Sequence, residues 1–174
     1  MQIHHGATAS TAPAPKAGEM QNSTITRWML IASAICRFAS LRGGGQGCAL
    51  FMWATFPTIP DALRVMEAWG FTYKTAAFVW IKKYKSGGNF YGMGAYTRAN
   101  AEVCLLGVTP GFKAKELVKS HSVHQVIESP IQAHSVKPDE ARRRIVELLG
   151  DVPRIELFAR QHAPGWDAWG DELE

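Results

Sequence analysis

Cysteine is scarce in this chain, and long apolar runs are missing. The three cysteines, Cys36, Cys48 and Cys104, stand far apart and form no Cys-x-x-Cys pair. That spacing argues against a disulfide framework and for a reducing, cytoplasmic setting. The one segment worth testing against a membrane, Trp28–Cys36, is bracketed by Arg27 and Arg37 and falls far short of the ~20 apolar residues a spanning helix needs. It also makes a poor secretory signal, because a polar leader rich in Pro, Ala and Thr precedes it. A large excess of one charge is missing too: 19 Lys and Arg against 15 Asp and Glu leave +4. Residues 1–45 hold Lys16, Arg27, Arg37 and Arg42 against the lone Glu19, so the remainder carries only +1. So small a surplus does not by itself mark a nucleic-acid binder.

What is present suffices for one core: 174 residues, 47% of them hydrophobic. Residues 6–24 are small, polar and proline-bearing, with neither a helical nor a strand period, as in a disordered leader. A glycine-rich break at 42–47 follows, and the texture then changes. We therefore divide the chain into a leader, 1–45, and a folded domain, 46–174.

In that domain strands and helices alternate. The continuous apolar run Cys48–Trp53 predicts a strand covered on both faces. Thr58 is placed to cap a helix with Ala62, Val65, Met66 and Trp69 on its inner face and Gly70 as its stop. Phe71–Ile81 predicts a strand or strand pair, and Lys82–Asn100 a long glycine-bearing loop of the functional kind. Ala101–Val108 predicts a buried strand, Lys113–Ser122 a basic connector, and Gln125–Ser129 a short strand. Lys137–Leu149 predicts a helix with Asp139 and Glu140 in its first turn, Ala141, Ile145, Leu148 and Leu149 inward, and Gly150 at its end. Arg154–Ala159 predicts the last strand. The expected architecture is α/β, with a largely parallel sheet, helices on both faces, and ligands at the carboxyl ends of the strands.

Five stretches carry a family resemblance: LFMWATFPTIPDALRVMEAWGF, FVWIKK, RANAEVCLLGV, SVKPDE and RIELFARQHAPGWDAWGDEL. In this order and spacing, over residues 48–173, the chain resembles the MT-A70 adenine methyltransferases, and its short bacterial and bacteriophage members above all. The resemblance implies a Rossmann-like methyltransferase sheet, S-adenosylmethionine as cofactor, and transfer of its methyl group to adenine N6, in DNA rather than RNA. It implies no metal and no membrane.

The resemblance also assigns residues. Lys137 matches the lysine that reaches the methionine carboxylate of the cofactor, an interaction suited to an ammonium. Arg160 and His162, after the last predicted strand, match residues that hold the ribose and its neighbours. Asp171 and Glu172, after Gly170, stand where relatives carry Gly-Asn-Gln or Gly-Asn-Glu. Glu102, at the mouth of a strand, either supports the target base or pairs with Lys137. Trp53, Trp69, Phe78 and Trp80 are expected to be core rather than base-stacking platforms. His121 and His124 lack a third ligand and are not expected to bind metal. Lys82, Lys83, Lys85, Lys113, Lys115 and Lys119 suit phosphates or solvent equally.

One family feature is missing. The Asp-Pro-Pro-Trp motif, whose Asp and Pro carbonyl orient the adenine amine, belongs upstream of Cys48, and no such tetrapeptide occurs in the chain. Allowed codons for Met1–Thr8, read two bases later, spell Ala-Asp-Pro-Pro-Trp-Arg-Tyr. Similar shifts of Gln21–Leu30 and Ile31–Leu41 yield family-like segments. The expectation is that residues 1 to about 44 are translated out of frame, that the frame is regained in Gly43–Gly45, and that the true start lies upstream. The folded part should then lack the strand leading into the catalytic loop. The rival expectation is a non-catalytic nucleic-acid-binding or scaffold relative, with an RNA methyltransferase as a further alternative.

Overall fold

The computed structural model describes the backbone of Ala32–Cys36 and residues 47–132, 136–171 and 173. Its strands are β1 (Ala32–Cys36), β2 (Cys48–Ala54), β3 (Thr72–Lys83), β4 (Ala101–Val108), β5 (Val126–Pro130), β6 (Arg154–Leu157) and β7 (Asp167–Trp169). Its helices are α1 (Ile59–Ala68), α2 (Ala114–Leu117) and α3 (Asp139–Leu149). The strands form one sheet in the order β5-β3-β4-β2-β1-β6-β7.

β2 shows why the sequence there is apolar without alternation. Ala49, Phe51 and Trp53 pack in one cluster with Ala141, Ile145 and Leu149 of α3. Leu50, Met52 and Ala54 pack in another with Ala62, Val65 and Met66 of α1. Successive side chains of a strand leave on opposite faces, so a strand with a helix on each side must be apolar at every position. The two helices thus cover opposite faces of the sheet, as expected.

The sheet departs from expectation in its pairings. Among neighbours only β3–β5 and β6–β7 are parallel; β1–β2, β1–β6, β2–β4 and β3–β4 are antiparallel. The reason is connectivity, because β4 returns from β3 through the loop 84–100 and inserts between β3 and β2. Followed through the pairings, β2, β3, β5, β6 and β7 still share one direction, and β1 and β4 oppose them. One edge of the sheet therefore gathers the carboxyl ends of five strands and the first residues of β4. β1 lies within the leader segment 1–45, in the position between β2 and β6.

Smaller departures have local causes. Phe71–Ile81 is a single strand, Thr72–Lys83, with register shifts at Tyr73/Thr75 and Ala76/Phe78. The basic connector holds the short helix α2. Trp69 is not on the buried face of α1 but follows its last residue, 36% exposed. Leu148 is only partly buried, beside the inward Ile145 and Leu149. The Thr58 hydroxyl does not cap α1; it closes a capping box over the 3-10 turn Phe56–Thr58, accepting from Thr55 N at 3.1 Å and donating to the Thr55 carbonyl at 2.9 Å. β6 stops at Leu157 because Phe158 adopts φ 59°, the left-handed region that ends a strand. Cys48 is disulfide-bonded, contrary to the reduced set expected from the wide spacing of the cysteines. No helix among the described residues is long and apolar enough to cross a membrane.

Candidate functional site

The carboxyl edge of the five co-directional strands holds a buried charge cluster on the face covered by α3. Glu102, the second residue of β4, is 9% exposed and lies opposite Trp80 of β3 in register. Period-two alternation puts Glu102 and Cys104 of β4 on one face, and Trp80 and Lys82 of β3 alongside them. Lys82 Nζ donates to Glu102 Oε1 at 2.6 Å. Lys137 Nζ, from the segment entering α3, lies 2.8 Å from the other oxygen, Oε2. One carboxylate thus holds two ammonium groups, and the cluster carries a net positive charge.

Its electrostatics follow from this count. Burial works against the charge on Glu102, but Lys137 and Lys82, by attraction and hydrogen bonding, more than offset it and hold its carboxyl below the usual range. Burial pushes the Cys104 thiol up, with Lys137 opposing only in part, so this free cysteine is a core residue and not a nucleophile.

Aromatic residues form the wall beneath the cluster. Trp53 and Trp80 meet edge to face with ring centroids 6.5 Å apart, and Lys82 Nζ stands 5.2 Å from the Trp80 ring centroid. The Trp80 indole donates to the Ser129 carbonyl of β5 at 3.1 Å. Trp53, Phe78 and Trp80 are buried in the core, as expected of them.

α3 is fastened across this face by two arginines. Arg142 grips Glu156 of β6 through both carboxylate oxygens, Nε–Oε2 at 2.7 Å and Nη2–Oε1 at 2.9 Å, and also pairs with Asp139. Arg144 donates to the carbonyls of His124 and Val126, at 2.5 and 2.7 Å. The helix that positions Lys137 is thereby tied to both sides of the sheet.

The remaining sequence-predicted residues stand elsewhere along the same edge. Arg160 and His162 are exposed beyond the end of β6, and Asp171 is exposed beyond β7. β1 and β2 separate these strands from β4, so the structure joins Glu102 to Lys137 and sets the other three on the far side of the edge. Glu172 lies outside the described residues. The exits of β6 and β7 are close: Ala159 N donates to Trp169 O at 3.0 Å, and a Cβ on Gly170 would come within 2.3 Å of Ala159 O. Among the described residues no group of His, Cys, Asp and Glu is arranged for a metal, His121 and His124 included.

Sequence reading did not single out Lys82 as a partner of Glu102, nor the Arg142–Glu156 pair. For Lys82 a signal was present: it lies two residues past Trp80, a core residue, so it shares that inward face of the strand.

The MT-A70 family model matches residues 40–172. The chain is 35% identical over 129 residues to the Type II methyltransferase M.MunI of a Mycoplasma species, covering 72% of this chain and 51% of that protein. It is 26% identical over 132 residues to a probable N(6)-adenosine-methyltransferase MT-A70-like protein of Oryza sativa subsp. japonica, covering 71% of this chain and 17% of the relative. An N(6)-adenosine-methyltransferase MT-A70-like protein of Arabidopsis thaliana is 25% identical, at 71% and 18% coverage. The chain thus spans about half, or less, of the length of these relatives.

Proposed function

The chain belongs to the MT-A70 family, and from that premise we propose that its sheet edge is the cofactor side of an S-adenosylmethionine-dependent adenine-N6 methyltransferase acting on DNA. The observation that carries the reading is the Lys82–Glu102–Lys137 cluster, which holds an excess ammonium group at the carboxyl edge of the strands. Lys137 has three donors and needs one for Glu102, which leaves donors for the carboxylate of the methionine moiety. Arg160, His162 and Asp171 supply exposed polar groups for the ribose beyond β6 and β7, and Glu172 belongs to the same stretch of sequence. Glu102 orients Lys137 and faces the target base. S-adenosylmethionine, when bound, supplies a methyl group on a sulfonium. The protein's task is to bring the adenine amine to it in line, so orientation and local charge do most of the work.

We favour DNA over RNA because the match to the Type II methyltransferase, at 35% identity, exceeds those to the plant N(6)-adenosine relatives. The second reading, a non-catalytic nucleic-acid-binding scaffold, is favoured by one observation: the chain contains no Asp-Pro-Pro-Trp. We attribute that absence to out-of-frame translation ahead of the Gly43–Gly45 run, which sequencing the gene across that run tests directly.

The biochemical test is calorimetric titration of the full chain with S-adenosylhomocysteine, beside Lys137→Ala. Binding by the unsubstituted chain, weakened about tenfold or more by the loss of one charged contact, is expected. Absence of binding by the unsubstituted chain would overturn the cofactor assignment. Methyl transfer from labelled S-adenosylmethionine to adenine-containing DNA is expected only after the tetrapeptide is restored.

A further inference from the structure

The end of β3 and the loop that follows it concentrate positive charge. Residues 82–100 contain Lys82, Lys83, Lys85 and Arg98 and no acidic residue, a local +4 equal to the formal charge of the entire chain. Residues 46–174 net +1, so that domain outside residues 82–100 nets −3. Lys82 is committed to Glu102, and Lys83 pairs with Glu128 at 3.1 Å. Lys85 and Arg98 are exposed.

The same loop exposes the side chains a folded core would bury. Met93 is 91% exposed and Tyr96 100% exposed, with Tyr84 and Tyr91 about half exposed. Burying such groups against a partner is favourable, and aromatic rings interleaved with cations suit one chemistry above others: bases stacked on rings with phosphates beside them. The stem of the loop is firm. Lys82 N donates to Asn100 O at 2.8 Å, Phe90 N to Lys82 O at 2.9 Å, and Gly92 N to Ala99 O at 2.7 Å. Tyr84 and Phe90 meet edge to face at 5.3 Å, and Lys83 Nζ donates to Asn89 Oδ1 at 2.9 Å. The tip carrying Met93 and Tyr96 is therefore held out from the sheet on a fixed base. Both roots of that base adjoin the charge cluster, at Lys82 and at Glu102.

We propose that residues 84–98 are a nucleic-acid-engaging ribbon, in which Met93 and Tyr96 stack on unpaired bases next to the site while Lys85 and Arg98 hold the flanking phosphates. This rests on the reading above that the substrate is DNA, and it adds the surface that engages it. A base presented to an enzyme must leave the helical stack, and an inserted apolar or aromatic side chain is a recurrent means of holding the stack open.

The test is fluorescence anisotropy of the full chain with a labelled DNA duplex, fully paired or containing one unpaired adenine. Tighter binding of the unpaired duplex is expected. Tyr96→Ala combined with Met93→Ala should weaken that complex about tenfold and remove the preference. Both side chains are exposed, so folding should not change. Lys85→Ala and Arg98→Ala should weaken both complexes alike, each lowering the salt slope by about one. A Tyr96→Ala/Met93→Ala protein that binds both duplexes as the unsubstituted chain does, or an unsubstituted chain that binds neither, overturns the proposal. Titration with S-adenosylhomocysteine separates the two readings: DNA binding through the ribbon without cofactor binding would sink the cofactor assignment and leave the ribbon standing.

Discussion

Lys137 Nζ and Glu102 Oε2 lie 2.8 Å apart, although 35 positions separate them in sequence and they come from different elements. The contact joins the segment entering α3 to the start of β4 and so defines where the candidate site begins. With Lys82 on the other oxygen, the arrangement is charge-unbalanced by design of its residues, and removing its one negative member should cost most.

Glu102→Gln leaves two largely buried ammonium groups facing a neutral amide. Breaking a buried pair costs about 3–5 kcal/mol, and the partial exposure of Lys82 lowers the expectation to about 2–3 kcal/mol. Urea denaturation measures it. Adding Lys82→Met to Glu102→Gln should recover part of the loss, because the two sites share one interaction.

The same carboxylate predicts an acid limb. Its folded pKa is depressed, so its stabilisation is complete above the unfolded value and disappears as pH falls through the lower, folded one. Melting temperature followed from neutral pH into the acid range should fall more shallowly for Glu102→Gln than for the parent chain. Parallel curves would remove Glu102 as a source of the acid response.

Arg142→Ala should destabilise by about 3–5 kcal/mol, because it strands Glu156, 5% exposed, without its partner. Arg142→Lys should recover less than half of the loss, since a lysine cannot engage both carboxylate oxygens in the plane of a fork. Chemical denaturation of the two variants side by side decides it.

Gly170→Ala tests how tightly the β6 and β7 exits are packed. The added methyl would meet the Ala159 backbone, which cannot swing away as a side chain can. A loss of about 1–3 kcal/mol is expected, together with weaker S-adenosylhomocysteine binding if Arg160 and Asp171 act as proposed. Thermal melts and calorimetry read the two effects separately.

Much of the scaffold was legible because its signals are local. The unbroken apolar run of β2 and the inward faces of α1 and α3 follow from burial and period alone, and Ala101–Val108 matches β4 residue for residue. The direction of β4 was not legible, because parallel and antiparallel strands buried on both faces have the same apolar composition. The connection through residues 84–100 decides it. Trp69 misled for a related reason: it continues the helical period of α1 but falls after the helix has ended. In the site, Lys137 stood out through a family motif and Glu102 through its place at the mouth of a strand, whereas Lys82 did not, since a lysine in a basic stretch resembles its solvated neighbours until β3 fixes which way it faces. The Arg142–Glu156 fork depends on how α3 crosses the sheet, and no local pattern encodes that angle.

The clasp at the root of the β3–β4 hairpin makes the loop a lever. Lys82 closes one arm and Glu102 opens the other, with a single ion pair across the throat. A load applied at Tyr96 passes into the sheet through these two arms, and Lys137 stands just beyond the clasp, on the other oxygen of Glu102.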